Sequence, residues 1–305
     1  MTTSPLLDRL GPADSALPGD QSSARGAQKW LETFGLPTAR DEAWKYTPID
    51  KILAATFDPA SKPTPDGFDL AMLDELAGDH GGPRLVFING FFTPELSRNA
   101  LVGSGVNCRN EAALTIEPSG SDIATAADRT RFDGFQALNQ IAGRDGAVVL
   151  VDRDTHVSEP IHVVYLSAPG AKPTASHPRT LLRAATNSEV TFIETYAGRS
   201  GAALTNAATT IVVEPGAIVN HYKIQAEGVG ATHLAHTSIR QAGGSSVRSC
   251  SFMLGGGIAR NAVDVVLGGN DANVELDGLY LPNATQHHDN VITVEHAASA
   301  CTSRQ

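Results

Sequence analysis

The sequence predicts a mainly β protein, a parallel β-helix behind an N-terminal helical region, and three observations predict it. From Gly146 to Gln305, short runs rich in Val, Ile and Thr alternate with Gly, Asn, Pro and Asp turns, with no long helical pattern between them. Within those runs Val190, Val219, Val247 and Val274 recur at intervals of 29, 28 and 27, while Ile211, Ile239, Val266 and Val294 step by 28, 27 and 28. Two interleaved ladders sharing one period are the signature of stacked coils, each supplying the same core positions, whereas a sandwich has no reason to keep such a period. The first 57 residues, in contrast, carry helical spacing.

Taken in order, residues 1–57 read as a helical region after a disordered start. Ala27, Leu31 and Phe34 recur at helical spacing until Gly35 and Pro37 break the pattern. Trp44, in the stretch AWKYT, is expected to pack this region against the body. Residues 58–67 (DPASKPTPDG) hold three prolines and a glycine and read as a linker. A mixed α/β lead-in over 68–145 contains a buried-strand candidate, LVFING (85–90). It also contains a helix over Arg131–Ile141, in which Phe132, Phe135, Leu138 and Ile141 share one face. The β-helix core then spans 146–305, with strands over 147–152, 161–167, 179–185, 189–196, 208–214, 217–225, 232–241, 245–254, 259–267, 272–281 and 288–296.

Composition narrows the function classes. With 23 basic against 33 acidic residues, the net charge of −10 argues against a phosphate-tracking nucleic-acid binder. Aromatics at 6% leave little for base stacking. No window reaches the roughly 20 apolar residues of a membrane helix, and the N-terminus lacks a secretory pattern. Three cysteines, Cys108, Cys250 and Cys301, are odd in number and widely spaced, which excludes a disulfide framework or a local metal knuckle. The expectation is a protein of the reducing cytoplasm.

The search for chemistry finds little. No Walker A motif exists, since GGGIAR (255–260) lacks both the spacing and the Lys-Ser/Thr pair, so any nucleotide dependence would come from a partner. Asn206, His233, Asn261 and His288 step by 27, 28 and 27, give or take one residue of register. They read as one stacked polar ladder rather than a metal site: two coils separate His233 from His288 by ~9–10 Å at strand spacing, too far for bonds of ~2.0–2.1 Å to one zinc. The adjacent pair His287-His288 points to opposite faces of a strand and cannot chelate. A polysaccharide lyase or hydrolase of the secreted β-helix type is the rival enzyme reading, and it needs clustered carboxylates. Asp264, Asp277 and Asp289 miss the coil period, with spacings of 13 and 12, and read as solvated wall residues. His296 and Cys301 carry donors that suit soft metals and iron–sulfur clusters. Two donors are not a complete site, however, and a structural Cys with a capping or core His is the plainer reading.

Six strings in family order resemble the SufB/SufD family of iron–sulfur cluster assembly scaffolds, SufD more than SufB. They are GLPTARDEAWKYTPIDKIL (35–53), LVFINGFFTPELS (85–97), FQALNQIAGRDGAVVLV (135–151), HPRTLLRAATNSEVTFIETYAG (177–198), LTNAATTIVVEPGAIVNHYKIQAEG (204–228) and LDGLYLPNATQHHDNVITVEHAASACTSRQ (276–305). The resemblance implies a right-handed β-helix with helices at either end, and a complex with the SufB paralogue and the ABC-type ATPase SufC. It implies a non-catalytic scaffold with no resident cofactor, the iron–sulfur cluster forming transiently at a complex interface. The family continues beyond the position of Gln305 through further coils and ATPase-docking helices, and a downstream histidine implicated in cluster formation has no counterpart in this sequence. His296 and Cys301 do not match it. Thr210 stands where family members often carry Glu. A homodimer pairing through its sheet edge is a third reading.

Overall fold

The computed structural model describes residues 5, 21–62, 68–98, 105–110, 132–168 and 172–305. The expected disordered start and residues 63–67 of the expected linker lie outside this set. No helix among the described residues is long and apolar enough to cross a membrane.

The N-terminal helical region contains α1 (Gln21–Phe34) and α2 (Ile49–Ala54). Gly35, at φ +72°, ends α1 by donating its N–H to Leu31 O at 2.8 Å. Ala27 and Leu31 are buried, but Phe34 stays 42% exposed and packs on Trp30 rather than entering the core. The expected linker starts as a strand: β1 (Asp58–Pro59) pairs in parallel with a strand at Thr174 and Ala175. Then come α3 (Leu70–Ala77), β2 (Arg84–Ile88), β3 (Phe91–Phe92) and β4 (Val106–Asn110). Helix α4 (Gly134–Ala142) begins later than the apolar spacing suggests. Asp133 accepts from the Phe135 and Gln136 N–H groups while Gln136 returns its side chain to the Asp133 N–H, a complete capping box. Phe135, Leu138 and Ile141 are buried as the spacing predicts. Trp44 does pack this region against the body, its ring 5.1 Å from Phe135 in a cluster with Leu204 and Leu234.

Two sheets then wind into a parallel β-solenoid of about five turns. Its strands are β5 (Gly146–Val151), β6 (Ile161–Ser167), β7 (Thr174–Ser176), β8 (Arg179–Ala184), β9 (Glu189–Gly198), β10 (Ala203–Val213), β11 (Ile218–Ala226), β12 (Ala231–Gln241), β13 (Ser246–Met253), β14 (Ile258–Leu267), β15 (Asn273–Tyr280), β16 (His287–His296) and β17 (Thr302–Arg304). One sheet runs β16-β14-β12-β10-β8-β5-β4 and the other β17-β15-β13-β11-β9-β6-β2-β3. All eleven expected strands are present, with ends shifted by a few residues. The first coil has no open edge: β4 closes one sheet by antiparallel pairing with β5, and β2 covers β6 on the other.

Val190, Val219, Val247 and Val274 are register neighbours, all within 1% of full burial. The second ladder needs a correction. Ile211 pairs with Ile239, but Ile239 pairs with Val265, which pairs with Val294; Val266 pairs with Arg240 instead. The cause is the turn at Leu254–Gly257. The coil offset falls from 28 residues (Ile211 to Ile239) to 26 (Ile239 to Val265) while β11 and β13 keep 28. Three consecutive glycines make this tighter crossing possible. A Cβ on Gly255 would strike the backbone oxygen of Glu227 one coil earlier.

The opposite turns share one conformation. Asp154, Asn187, Gly216, Gly244, Asp271 and Ala300 all take positive φ between 56° and 71°. Asp, Asn and Gly tolerate this left-handed region; Ala300 is the one costly occupant. Each turn also bonds the next: the N–H groups of Asn187, Gly216, Gly244 and Asp271 donate to the carbonyls of Pro215, Gly243, Asn270 and Ser299 at 2.8–3.1 Å.

Candidate functional site

Side-chain alternation decides what enters the coil. On β11, Val219 points inward, so His221, Lys223 and Gln225 must follow it; all four are at most 3% exposed. The same logic brings in Glu194 and Tyr196 on β9, Thr205 and Thr209 on β10, His233 on β12, Ser249 and Ser251 on β13, and Asn261 on β14. The half of the interior beside the Glu227 turn is therefore polar and shielded from bulk solvent.

Two buried carboxylates organise it. Glu194 accepts from Thr209 Oγ1 at 2.9 Å and lies 3.1 Å from His221 Nε2, while His221 Nδ1 reaches Ser249 Oγ at 2.9 Å. Glu227 accepts from Thr205 Oγ1 at 2.5 Å, Ser167 Oγ at 3.2 Å and Gln225 Nε2 at 3.2 Å, with His233 Nδ1 2.7 Å away. Tyr196 joins the groups: its ring meets His233 edge-on at 4.8 Å, and Lys223 Nζ lies 5.4 Å from its centre. Lys223 donates to Asn261 Oδ1 at 2.9 Å, and Asn261 donates onward to Asn290 on β16 at 3.2 Å. The chain of contacts thus runs along the solenoid axis across successive coils.

Burial pushes the Glu194 carboxyl up, but the His221 hydrogen bond, His221 and Lys223 charge and Thr180 hold it below the usual carboxylate range. Glu227 behaves likewise, burial being outweighed by His233, Thr205 and Gln225. Burial lowers Lys223 to about 8 despite the pull of Glu194 and Glu227, and lowers His233 against Glu227. Burial and the Glu194 charge raise Tyr196 well above the tyrosine range. Burying ion pairs is an expensive way to fill a core, since apolar residues of equal volume are often at least as stabilising. What the arrangement offers is a set of adjacent acids and bases, out of water and at hydrogen-bond distance, able to hold and pass protons.

The expected polar ladder separates into three columns. His233 stacks with Thr205, Ala259 and His288; Asn206 stacks with Leu234 and Arg260; Asn261 stacks with Ala235 and Asn290. Asn206 misses His233 by one residue because the β10–β12 offset is 28, and the short Gly255–Gly257 crossing, which cuts the β12–β14 offset to 26, parts His233 from Asn261. His288 Nε2 bonds Gly255 O at 3.0 Å. The three aspartates do not meet: Asp264 holds His236 at 2.6 Å, Asp277 holds Arg248 at 3.3 Å, and Asp289 holds Thr47 and Arg260. His296 Nε2 lies 2.9 Å from Ser303 Oγ, and Cys301 Sγ donates to Gly269 O at 3.3 Å. Among the described residues, no three His, Cys, Asp or Glu side chains are arranged to hold a metal ion. Glu194, His221, Lys223 and Glu227 were not singled out from sequence. Their signal was present in the alternation V-N-H-Y-K-I-Q, which forces polar residues inward once Val219 is placed in the core.

Fold and interior together define the class: a parallel β-solenoid with one closed end and a core divided between apolar and charged halves. Residues 165–305 match the SufBD core domain of SUF system FeS cluster assembly. The chain belongs to the SufB/SufD family and is of the SufD type. It is 31% identical to an iron–sulfur cluster assembly SufBD family protein of Synechocystis over 251 residues, 78% of this chain and 54% of that one. It is 29% identical to the iron–sulfur cluster assembly protein SufD of Escherichia coli over 282 residues, 91% of this chain and 63% of that one. A SufBD family protein of Mycobacterium tuberculosis is 23% identical over 273 residues, 90% and 58% of the two chains. The chain thus spans 54 to 63% of the length of these relatives.

Proposed function

We propose that this chain is a scaffold subunit of SUF iron–sulfur cluster assembly, working in the cytoplasm with a SufB paralogue and the SufC ATPase. The observation that carries the reading is the family match through residues 165–305, which covers the solenoid from the end of β6 onward. The lack of a Walker A motif in the sequence fits ATP hydrolysis by a partner. In this reading the subunit is not an enzyme: it keeps no resident cofactor, and the nascent cluster is cargo held transiently where subunits meet.

The test is co-purification. The full-length protein, co-expressed with its SufB and SufC counterparts, is expected to elute with both as one complex. Elution alone, with neither partner retained, overturns the reading.

A further inference from the structure

Side-chain alternation also settles what the outer face of the second sheet presents. Leu85, Phe87, Val163 and Tyr165 join the solenoid core. Val86 and Ile88 on β2 and Val164 and Leu166 on β6 therefore point outward, followed in register by Thr195 and Ala197 on β9. All six are at most 2% exposed, and the five apolar ones form one cluster with Leu73 and Ala77 of α3. A helix thus covers the outer face of the first three rungs.

The register carries both apolar columns onward. Thr195 pairs with Ile224, Ile224 with Phe252, and Phe252 with Leu279. Beside them Ala197 pairs with Ala226, and the column continues through Leu254 and Leu281, whose N–H groups donate to Gln225 O and Met253 O at 2.8 and 3.0 Å. These three rungs are as apolar as the first three but open. Leu254 is 42%, Leu279 45% and Leu281 58% exposed, while Ile224, Ala226 and Phe252 are half-buried. A contiguous apolar stripe on a surface marks an interaction site.

The geometry selects the kind of occupant. β11 and β13 are hydrogen-bonded on both sides, so no strand can be added over the stripe and only side-chain packing is available there. An α-helix satisfies its own backbone and presents side chains alone. Three rungs at ~4.8 Å spacing span about 10 Å, which is the width of one helix at about 10–12 Å. A second copy of the chain meets an obstacle, because α3 stands above the sheet beside the stripe and turns Asp74 and Glu75 to solvent.

We propose that the outer face of β11, β13 and β15 seats an amphipathic helix of a partner protein, lying beside α3 and repeating its mode of packing. Met72, Leu73, Leu76 and Ala77 of α3 define the pattern such a helix carries: apolar residues three and four apart on one face, polar residues elsewhere.

The test uses a labelled helical peptide of about five turns with leucine at those positions. A control peptide has the same composition with its leucines spread around the helix. Each is titrated with the full chain and followed by fluorescence anisotropy. Saturable binding of the first peptide is expected, at least about tenfold tighter than that of the control. Leu254→Glu and Leu279→Glu should each weaken it at least about fivefold and keep the native melting temperature, because both leucines are exposed. Ile218→Glu, at the far end of β11 and also exposed, should leave binding unchanged. Equal binding of the two peptides, no saturation up to about 0.5 mM protein, or equal losses from Ile218→Glu and Leu254→Glu would overturn the proposal. So would a dimer of the chain that Leu254→Glu dissolves, which would make a second copy the occupant.

Discussion

Each coil turns twice, and the two turns enclose opposite chemistry. Where β10 hands over to β11, and at the same turn in later coils, the interior is Ile211, Val213, Val219, Ile239, Val247 and Val265, all at most 1% exposed. Where β11 hands over to β12, equally buried positions hold His221, Lys223, Glu227 and His233. Burial is the same on both sides; the energetics are not. Each inward valine on the first side contributes about 1.5–3 kcal/mol on leaving water. On the second side, desolvation must be offset group by group through ion pairs and hydrogen bonds. The apolar half holds the solenoid together, and the charged half is held by ion pairs and hydrogen bonds around Glu194 and Glu227, with the His233 ring nitrogens left without a hydrogen bond.

The largest expected effect breaks this contrast from the apolar side. Val219→Asp places an unpaired carboxylate between Val190 and Val247 and should cost about 4–5 kcal/mol or more, read as loss of the cooperative melt. A near-native melting temperature would mean that Val219 faces solvent. On the polar side, Glu194→Ala leaves His221 and Lys223 without their carboxylate and should cost about 3 kcal/mol in urea unfolding. Glu194→Gln, which keeps the shape and some hydrogen bonds, should cost clearly less. If the two variants are equal, packing rather than charge is what matters there.

The pH dependence sharpens the comparison further. The lowered folded values of Glu194 and Glu227 mean that their stabilisation is present above the ordinary carboxylate range and lost as pH falls through those values. His233 and Lys223 are also lowered, so the folded chain binds fewer protons than the unfolded one over their windows, and stability again rises with pH. For Lys223 that window runs from about 8 up to the ordinary 10.5. The melting temperature should therefore climb between pH 8 and pH 10, and Lys223→Met should flatten the climb. A wild-type profile level or falling across that window would contradict the assignment. The smallest effect belongs to the turns: Ala300→Gly relieves a left-handed alanine and should stabilise by about 1 kcal/mol, while Gly244→Ala should cost a similar amount.

The repeat was legible because inward valines recur once per coil, and Val190, Val219, Val247 and Val274 stack as the spacing says. The neighbouring ladder slipped by one residue at Val266 because a constant period cannot see a crossing shortened by three glycines. The same slip parted Asn261 from His233, while Asn206 misses His233 one coil earlier because their 27-residue spacing falls one short of the 28-residue offset there. The charged half went unread for a different reason. Lys and Glu are so often exposed that core-facing parity on β9 and β11 is by itself a weak sign of their burial. Asp58 and Pro59 looked like linker because proline and aspartate are poor strand formers, yet an edge strand of two residues needs little propensity.

The bonded column of left-handed turns has a consequence for how the chain is made. The strands that cover its first coil, β2 to β4, leave the ribosome before the coils that stack on them. From β10 onward, each new rung then finds a finished template fewer than thirty residues upstream and docks both its strand and its corner there. Growth of this kind is a zipper started from one closed end, so a lesion in an early rung should stall every rung that follows, while a lesion in the last should leave the rest intact.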